Sequence, residues 1–211
     1  VYVRGDDGTA LEQVLDGNAA VQDETSQRVV PLLQLAAGHR VLDLCAAPGG
    51  KTLQIADTLR RGHLVAADVD AAKVEGLKAL GTQIQGVTYE TRVVSDKGDL
   101  PFEPASFDRI LVDAPCSNTG VLRRRVEARW RLEKKDFASL AQIQNALLTR
   151  ALPLLKPGGR LVYATCSVEP EENEDVVAAV AAAHPDVTVQ EGFRCFPSRN
   201  ADGGYAAVLT R

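Results

Sequence analysis

Two cysteines give the first chemical suggestion in this chain of 211 residues. Cys116 follows Pro115, and Cys166 stands between Thr165 and Ser167. A thiol is commonly a small core side chain, and Cys45 and Cys195 are read that way. Cys116 and Cys166 differ, because each follows an apolar run that reads as a buried strand. A thiolate adds readily to an electron-poor carbon, and carbon-6 of a pyrimidine is one such carbon. Addition there turns carbon-5 into a nucleophile able to accept a methyl group from a sulfonium donor. The adduct must then lose the carbon-5 proton and expel the sulfur, work for which a second group is useful. The residues alone do not rank the two thiols.

A second constellation reads as a ligand cradle. Cys45-Ala46-Ala47-Pro48-Gly49-Gly50-Lys51 follows a strand and opens a helix, so backbone N–H groups face whatever lies in the turn. Asp68, 19 residues after Gly49, ends the next strand, where a carboxylate can accept from both hydroxyls of a ribose. Asp96, past the third strand, is read either as a reader of an adenine edge or as a turn aspartate. Together these residues point to a nucleoside-bearing cofactor across the sheet top. One rival is a nucleotide triphosphatase, since Gly50-Lys51-Thr52 ends like a phosphate-binding loop and Asp113 closes a strand like a magnesium-holding acid. That loop's first glycine falls on Cys45, however, and the rival leaves the cleft thiols unexplained.

The elements that must carry these residues alternate. Strands are expected at Arg40 to Cys45, His63 to Asp68, Val87 to Val94, Phe107 to Asp113 and Arg160 to Cys166, with short ones at Val187 to Gln190 and Tyr205 to Thr210. Helices are expected from about Lys51 to Leu59, Asp70 to Leu80, Trp130 to Leu155 and Pro170 to Ala183. Lys156 to Gly159 reads as a type II turn. Residues 1–39 read as a lead-in, with a turn-rich start, a helix from about Asp23 and a kink or restart at Pro31; residues 40–211 read as the core. This pattern gives an α/β, mostly parallel, doubly wound sheet with helices on both faces. Ligands in such sheets bind beyond the carboxyl ends of the strands, where both constellations fall.

Composition sets the outer bounds. Hydrophobic residues are 45% and charged residues 25% of the chain, which excludes disordered and fibrous classes. No apolar run is long enough to span a membrane, and the start lacks the pattern of a signal peptide. The chain begins at Val1 and holds no methionine, as a piece of a longer protein would. Four widely spaced cysteines argue against a zinc site or a disulfide framework and for a reducing, cytoplasmic setting. Lys and Arg number 24 against 28 Asp and Glu, a net charge of −4, so the chain as a whole does not advertise a polyanion partner. The charge is uneven, though. Seven basic residues lie between Arg123 and Lys135 around Trp130, either a grip on a phosphate backbone with a stacking face or a solvated helix. An acidic run occupies Glu169 to Asp175.

Three long stretches resemble the signature motifs of Sun-type RNA (cytosine-5)-methyltransferases: Asp43-Leu-Cys-Ala-Ala-Pro-Gly-Gly-Lys-Thr52, Asp113-Ala-Pro-Cys-Ser-Asn-Thr-Gly120 and Tyr163-Ala-Thr-Cys-Ser167. Val21-Gln-Asp-Glu, Leu155-Lys-Pro-Gly-Gly159, Glu169-Pro-Glu-Glu-Asn173 and Asp202-Gly203 match too, so the similarity runs from about Gly17 to near the end. The bacterial enzymes that methylate small-subunit ribosomal RNA are the nearest likeness.

The resemblance implies a Rossmann-like class I methyltransferase with a late antiparallel strand, using S-adenosylmethionine and no metal. It assigns Cys45 to Lys51 to the cofactor, with Asp68 on its ribose and Asp96 near its adenine. It makes Cys166 the nucleophile on carbon-6 and Cys116 the aid to elimination and product release. Asp113 would lie between cofactor and cytosine, holding the exocyclic amine and N3 side, and Lys51 would reach the pyrimidine. A catalytically silent RNA-binding relative is the other rival, against which the intact thiol pair speaks. Two departures stand out. Val126 replaces a frequent proline, and Gly204 stands where an aromatic is usual, which is expected to loosen packing there. Relatives usually carry a separate RNA-binding domain that this sequence lacks; either it lies outside the sequence or the Arg123–Lys135 patch serves instead.

Overall fold

The computed structural model describes residues 21–211. The turn-rich start read into the first residues, and the beginning of the family similarity at Gly17, lie outside them. Seven strands form one sheet: β1 (Arg40–Leu44), β2 (Gly62–Asp68), β3 (Val87–Val93), β4 (Phe107–Asp113), β5 (Leu155–Thr165), β6 (Thr188–Cys195) and β7 (Gly204–Thr210). Their order is β3-β2-β1-β4-β5-β7-β6. The first five run parallel, and β7 lies antiparallel between β5 and β6. The chain winds outward from β1 through β3, then returns beside β1 with β4, so the winding reverses between β1 and β4. A crevice opens at such a reversal, beyond the carboxyl ends of the strands.

Side-chain alternation divides the core between the two faces. Leu42, Ile110, Val112, Leu161 and Tyr163 point to one face, where α5 (Lys134–Ala151) and α6 (Glu174–Ala183) pack with Leu148 and Val177. Val41, Leu111, Val162 and Ala164 point to the other, covered by α2 (Gly50–Leu59) and by Val29, Val30 and Leu33 of the entry segment. On that side α3 (Ala71–Ala79) closes over β2 through Val74 and Leu77. Both faces are therefore covered, as the near-continuous apolar runs of the parallel strands require. The entry segment holds a one-turn α1 (Glu24–Gln27) capped by Asp23, and Pro31 sits in the short 3-10 turn that follows.

Several elements depart from expectation. The single helix expected from Trp130 to Leu155 is broken: α4 (Ala128–Arg131) ends, Leu132 and Glu133 are extended, and α5 starts anew. The cause is a capping box, in which Asp136 accepts from the Glu133 N–H at 2.9 Å and Glu133 reciprocates. At its far end the helix tightens into a 3-10 turn at Pro153, which cannot donate to the helical ladder. The Lys156–Gly159 turn is absorbed into β5 as an irregularity, with Leu155 opposite Phe107 and Arg160 opposite Arg109. The helix expected from Pro170 begins as a 3-10 turn and becomes α-helical only at Glu174. β6 is longer than expected because a register shift between Gln190 and Phe193 lets it follow β7 past Gln190.

Candidate active site

Each predicted functional stretch begins where a strand ends. After β1, Cys45 adopts a left-handed conformation, and the Ala46 N–H returns to the Ala67 carbonyl at 3.0 Å. Gly49 then caps α2 at φ 107°, where a β-carbon would lie 2.2 Å from Leu80 Cδ1. Glycine suits that turn because its positive φ strains any other side chain. Gly50 has nothing facing its missing β-carbon within 4 Å, so the first turn of α2 fronts open space. Asp68 is buried beneath this turn. Its Oδ2 accepts from the Ala47 N–H at 3.3 Å and its Oδ1 from the Asp70 N–H at 3.1 Å. Each oxygen keeps a lone pair for a further donor.

Asp96 is exposed in the bend after β3, where its carbonyl accepts from Arg150 at 3.2 Å. Thr52, the residue a phosphate-binding loop would turn toward a metal, is buried instead and donates to Asp43 Oδ2 at 2.6 Å. Burial raises the Asp43 carboxyl to about 7, against the Thr52 hydrogen bond that lowers it. Among the described residues, no group of three His, Cys, Asp or Glu side chains could hold a metal ion.

Lys51, in the first turn of α2, reaches across to Asp113 at the end of β4, with Nζ and Oδ2 2.7 Å apart. Burial opposes the lysine's charge, but Asp113 and the more distant Asp43 outweigh it and hold the ammonium above its ordinary value. Beyond β4 and β5 the chain delivers both predicted thiols to one place. Cys116 Sγ and Cys166 Sγ are 3.1 Å apart, and Cys166 Sγ is also 3.1 Å from Asn118 Oδ1. Asn118 stands in the left-handed region and donates from Nδ2 to the Cys116 carbonyl at 2.9 Å, closing a small ring around the two sulfurs.

Electrostatics separates the thiols. The two sulfurs share a hydrogen bond that either can donate, and that bond together with burial holds Cys116 well above the ordinary thiol range. The same bond, helped by the Lys51 charge, lowers Cys166 against its burial and against Asp113. Cys166 is therefore the better thiolate of the pair, and Cys116 keeps the proton. The two cysteines read as core residues differ from each other. Cys45 packs partly against the main core, where burial raises it to about 12. Cys195 is not in the core; it lies half-buried at the end of edge strand β6, with an Arg28 guanidinium nitrogen 2.9 Å away.

A cleft of about 400 Å³ opens over Pro48, Lys51, Asp113, Asn118 and Cys166, roofed by Asp23, Arg124 and Asp202. Arg124 binds Asp23 at 2.9 Å and Asp202 at 3.0 Å, and Arg123 binds Asp202 at 3.2 Å. The first two arginines of the basic stretch thus join the entry segment to the loop before β7. Arg129, Arg131 and Lys134 make no ion pair among the described residues, and Trp130 beside them is 84% exposed. On the far side of Cys116 a second groove runs past Ser117, Leu140 and Ile143 to Arg131. Packing around Gly204 is tight rather than loose: a β-carbon there would meet the Thr165 carbonyl at 3.0 Å, which corrects the expectation for that departure.

Sequence reasoning missed four residues beneath the thiols. Glu172 and Asn173 read as the acidic start of a helix, and Gln144 as one more residue of a long helix; Asn118 carried no role. All but Asn118 are fully buried and polar. The signal available for Glu172 and Asn173 was their place in the matching stretch Glu169-Pro-Glu-Glu-Asn173, which carried no chemistry by itself.

Residues 30–208 match a family model described as 16S rRNA methyltransferase RsmB/F. The ribosomal RNA small subunit methyltransferase B of Proteus mirabilis is 38% identical over 200 residues, covering 93% of this chain and 47% of its own length. The protein of that name from Erwinia tasmaniensis is 40% identical over 206 residues, covering 92% and 47% respectively. The chain spans about half the length of the curated relatives it matches. A solved methyltransferase homolog protein from Pyrococcus horikoshii superposes with a TM-score of 0.76 at 26% identity, covering 98% of this chain and 72% of that one. The expected fold, Rossmann-like with a mostly parallel sheet and a late antiparallel strand, is the one observed.

Proposed function

The chain belongs to the 16S rRNA methyltransferase RsmB/F family, and from that premise we propose that it is a catalytic domain that methylates carbon-5 of a cytosine in RNA. Small-subunit ribosomal RNA is the substrate this reading takes from the family. The observation that carries it is the pair of sulfurs 3.1 Å apart, with the Lys51–Asp113 ion pair lining the same cleft as Cys166. RNA binding alone requires no thiol, so the pair weighs against a silent relative. A triphosphatase is disfavoured by the missing glycine at Cys45 and by a Thr52 hydroxyl bound to Asp43.

The residues present fit S-adenosylmethionine. The open space before Gly50, the turn from Cys45 to Lys51 and the spare lone pairs of Asp68 suit a ligand with a ribose and a charged chain. When bound, that cofactor supplies a methyl group on a sulfonium sulfur. In this reading Cys166, the thiol held toward its thiolate, attacks carbon-6 of the target cytosine. Asp113 has one oxygen on Lys51 and keeps the other for the exocyclic amine on the N3 side of the ring. Lys51 holds that carboxylate and lines the cleft the pyrimidine enters. After methyl transfer the carbon-5 proton passes to a solvent base as the bond from sulfur to carbon-6 breaks and Cys166 leaves as the thiolate. Cys116, which retains its own proton, donates a hydrogen bond to that leaving sulfur and so assists the elimination. The target base must leave its stack to reach this depth, so an unpaired or flipped nucleotide is the substrate form.

The test is incubation of the protein with S-adenosylmethionine and 16S RNA, followed by nucleoside mass spectrometry. The expected product is 5-methylcytidine, and calorimetry should show cofactor binding weakened by Asp68→Ala. A methyl group on another atom, or tight magnesium-dependent ATP binding with no response to S-adenosylmethionine, would overturn the reading.

A further inference from the structure

We propose that Glu172 is a positioning residue that locks Cys116 against Cys166 by gathering the serine next to each thiol onto one buried carboxylate. The consequence for turnover rests on the reading of the two thiols given above. Glu172 is fully buried and has no cationic partner among the described residues. It is held instead by four hydrogen bonds, sorted by kind. Oε1 accepts the Ser117 N–H at 2.9 Å and the Gln144 amide at 3.0 Å. Oε2 accepts the hydroxyls of Ser117 and of Ser167, the latter at 2.6 Å. Ser117 adjoins Cys116 and Ser167 adjoins Cys166, so one carboxylate ties the loop after β4 to the loop after β5. An uncompensated buried carboxylate is costly, and this one is tolerated because every donor is supplied by the two loops it joins and by α5.

The two loops depend on Glu172 unequally. The Cys166 loop has an anchor outside both loops, since Asn173 accepts from the Thr165 hydroxyl at 2.6 Å and donates to the Ser167 carbonyl at 3.1 Å. The bonds from the Val168 N–H to the Thr119 hydroxyl and from the Gly120 N–H to the Cys166 carbonyl instead tie the two loops to each other. A side chain at Gly120 could not make that approach, because its β-carbon would lie 2.7 Å from the same carbonyl. The Cys116 loop is fastened to Glu172 twice through Ser117, with Gln144 bridging Glu172 to the Pro115 carbonyl at 2.9 Å. Loss of the carboxylate therefore frees Cys116 more than Cys166. Attack should survive, and elimination should fail.

The experiment incubates the full chain with RNA substrate and S-adenosylmethionine and follows protein–RNA adducts on denaturing gels, with Cys116→Ala as the reference for stalled elimination. Glu172→Ala should accumulate a covalent adduct through Cys166 carrying methylated base, with turnover lowered by about 10²-fold, the scale of a displacement near 1 Å. S-adenosylmethionine affinity should be unchanged. Glu172→Gln should restore most of the turnover, because its amide can donate to both seryl oxygens while they reverse. A merely structural role would lose adduct and product together. Wild-type turnover in Glu172→Ala, or loss of activity without adduct in a folded protein, overturns the proposal. Should Glu172→Ala fail to fold, Ser117→Ala decides by the same adduct readout in milder form.

If Cys116→Ala itself traps nothing, the reading of the thiols has failed, and the geometry is then tested without RNA. Oxidised glutathione should join the two wild-type sulfurs: two thiols give up two protons and two electrons, and one glutathione disulfide becomes two glutathione thiols. That closure should be slower in Glu172→Ala, or in Ser117→Ala; an equal rate overturns the positioning role.

Discussion

The sulfurs of Cys116 and Cys166 lie 3.1 Å apart, although 50 residues of chain separate them. Register explains the meeting. Asp113 of β4 pairs with Ala164 of β5, and the Ala114 N–H continues that ladder to the Ala164 carbonyl, so the two strands end level and their next residues face one crevice. With one S–H donated between them, the thiols should differ in reactivity. Limiting iodoacetamide near neutral pH should label Cys166 before Cys116, as read by peptide mass spectrometry. Cys116→Ala removes the donated bond and should slow labelling at Cys166. Labelling of Cys116 first would reverse the proton assignment.

A second consequence concerns Asp43. Burial raises its carboxyl from 3.8 to about 7 in the folded protein. A raised value means the folded state holds the proton more tightly than the unfolded chain. Its stabilising contribution is therefore complete below pH 3.8 and is lost as pH rises through about 7. The loss is on the order of 4 kcal/mol at most. Asp43→Asn keeps the shape and an acceptor for Thr52 without the charge. It should flatten the fall in melting temperature across this window and melt above wild type on the alkaline side. Parallel profiles for the two proteins would show that Asp43 is not the titrating group.

Much of this arrangement was legible because strand and ligand rules act over short stretches. The run from Phe107 to Asp113 showed its strand by apolar content, and Gly49 and Asp68 showed their turn and strand end by spacing. Cys116 and Cys166 could be placed at one crevice because neighbouring strand ends share it. Their mutual contact could not, since it depends on the register of β4 on β5. The break at Leu132 was hidden for a different reason: the leucine spacing continues through it, while the decision lies in the cap made by Glu133 and Asp136. Glu172 was hidden most deeply. A glutamate in an acidic run reads as surface, and only the folded loops supply the four donors that bury it.

The basic stretch divides by partner. Arg123 and Arg124 are bound to Asp202 and Asp23, whereas Arg129, Arg131 and Lys134 have no carboxylate partner among the described residues. Replacing the latter three with Ser should lower the salt dependence of RNA affinity, by roughly 0.7 in log–log slope for each single-strand phosphate no longer neutralised. Arg124→Ser should act chiefly on stability, because it leaves two carboxylates at the cleft roof facing each other. A fall in slope with Arg124→Ser and none with the triple variant would exchange these roles.

The account turns on which sulfur attacks, and covalent capture answers that most directly. Each cysteine variant is incubated with substrate RNA and S-adenosylmethionine, denatured, and resolved by electrophoresis. Cys166→Ala should give free, unmethylated RNA, because no bond to carbon-6 can form. Cys116→Ala should give a slow-migrating protein–RNA band whose linkage maps to Cys166 and whose base already carries the methyl group. An adduct from Cys166→Ala with none from Cys116→Ala would contradict the assignment, and full activity in both variants would contradict the covalent mechanism itself.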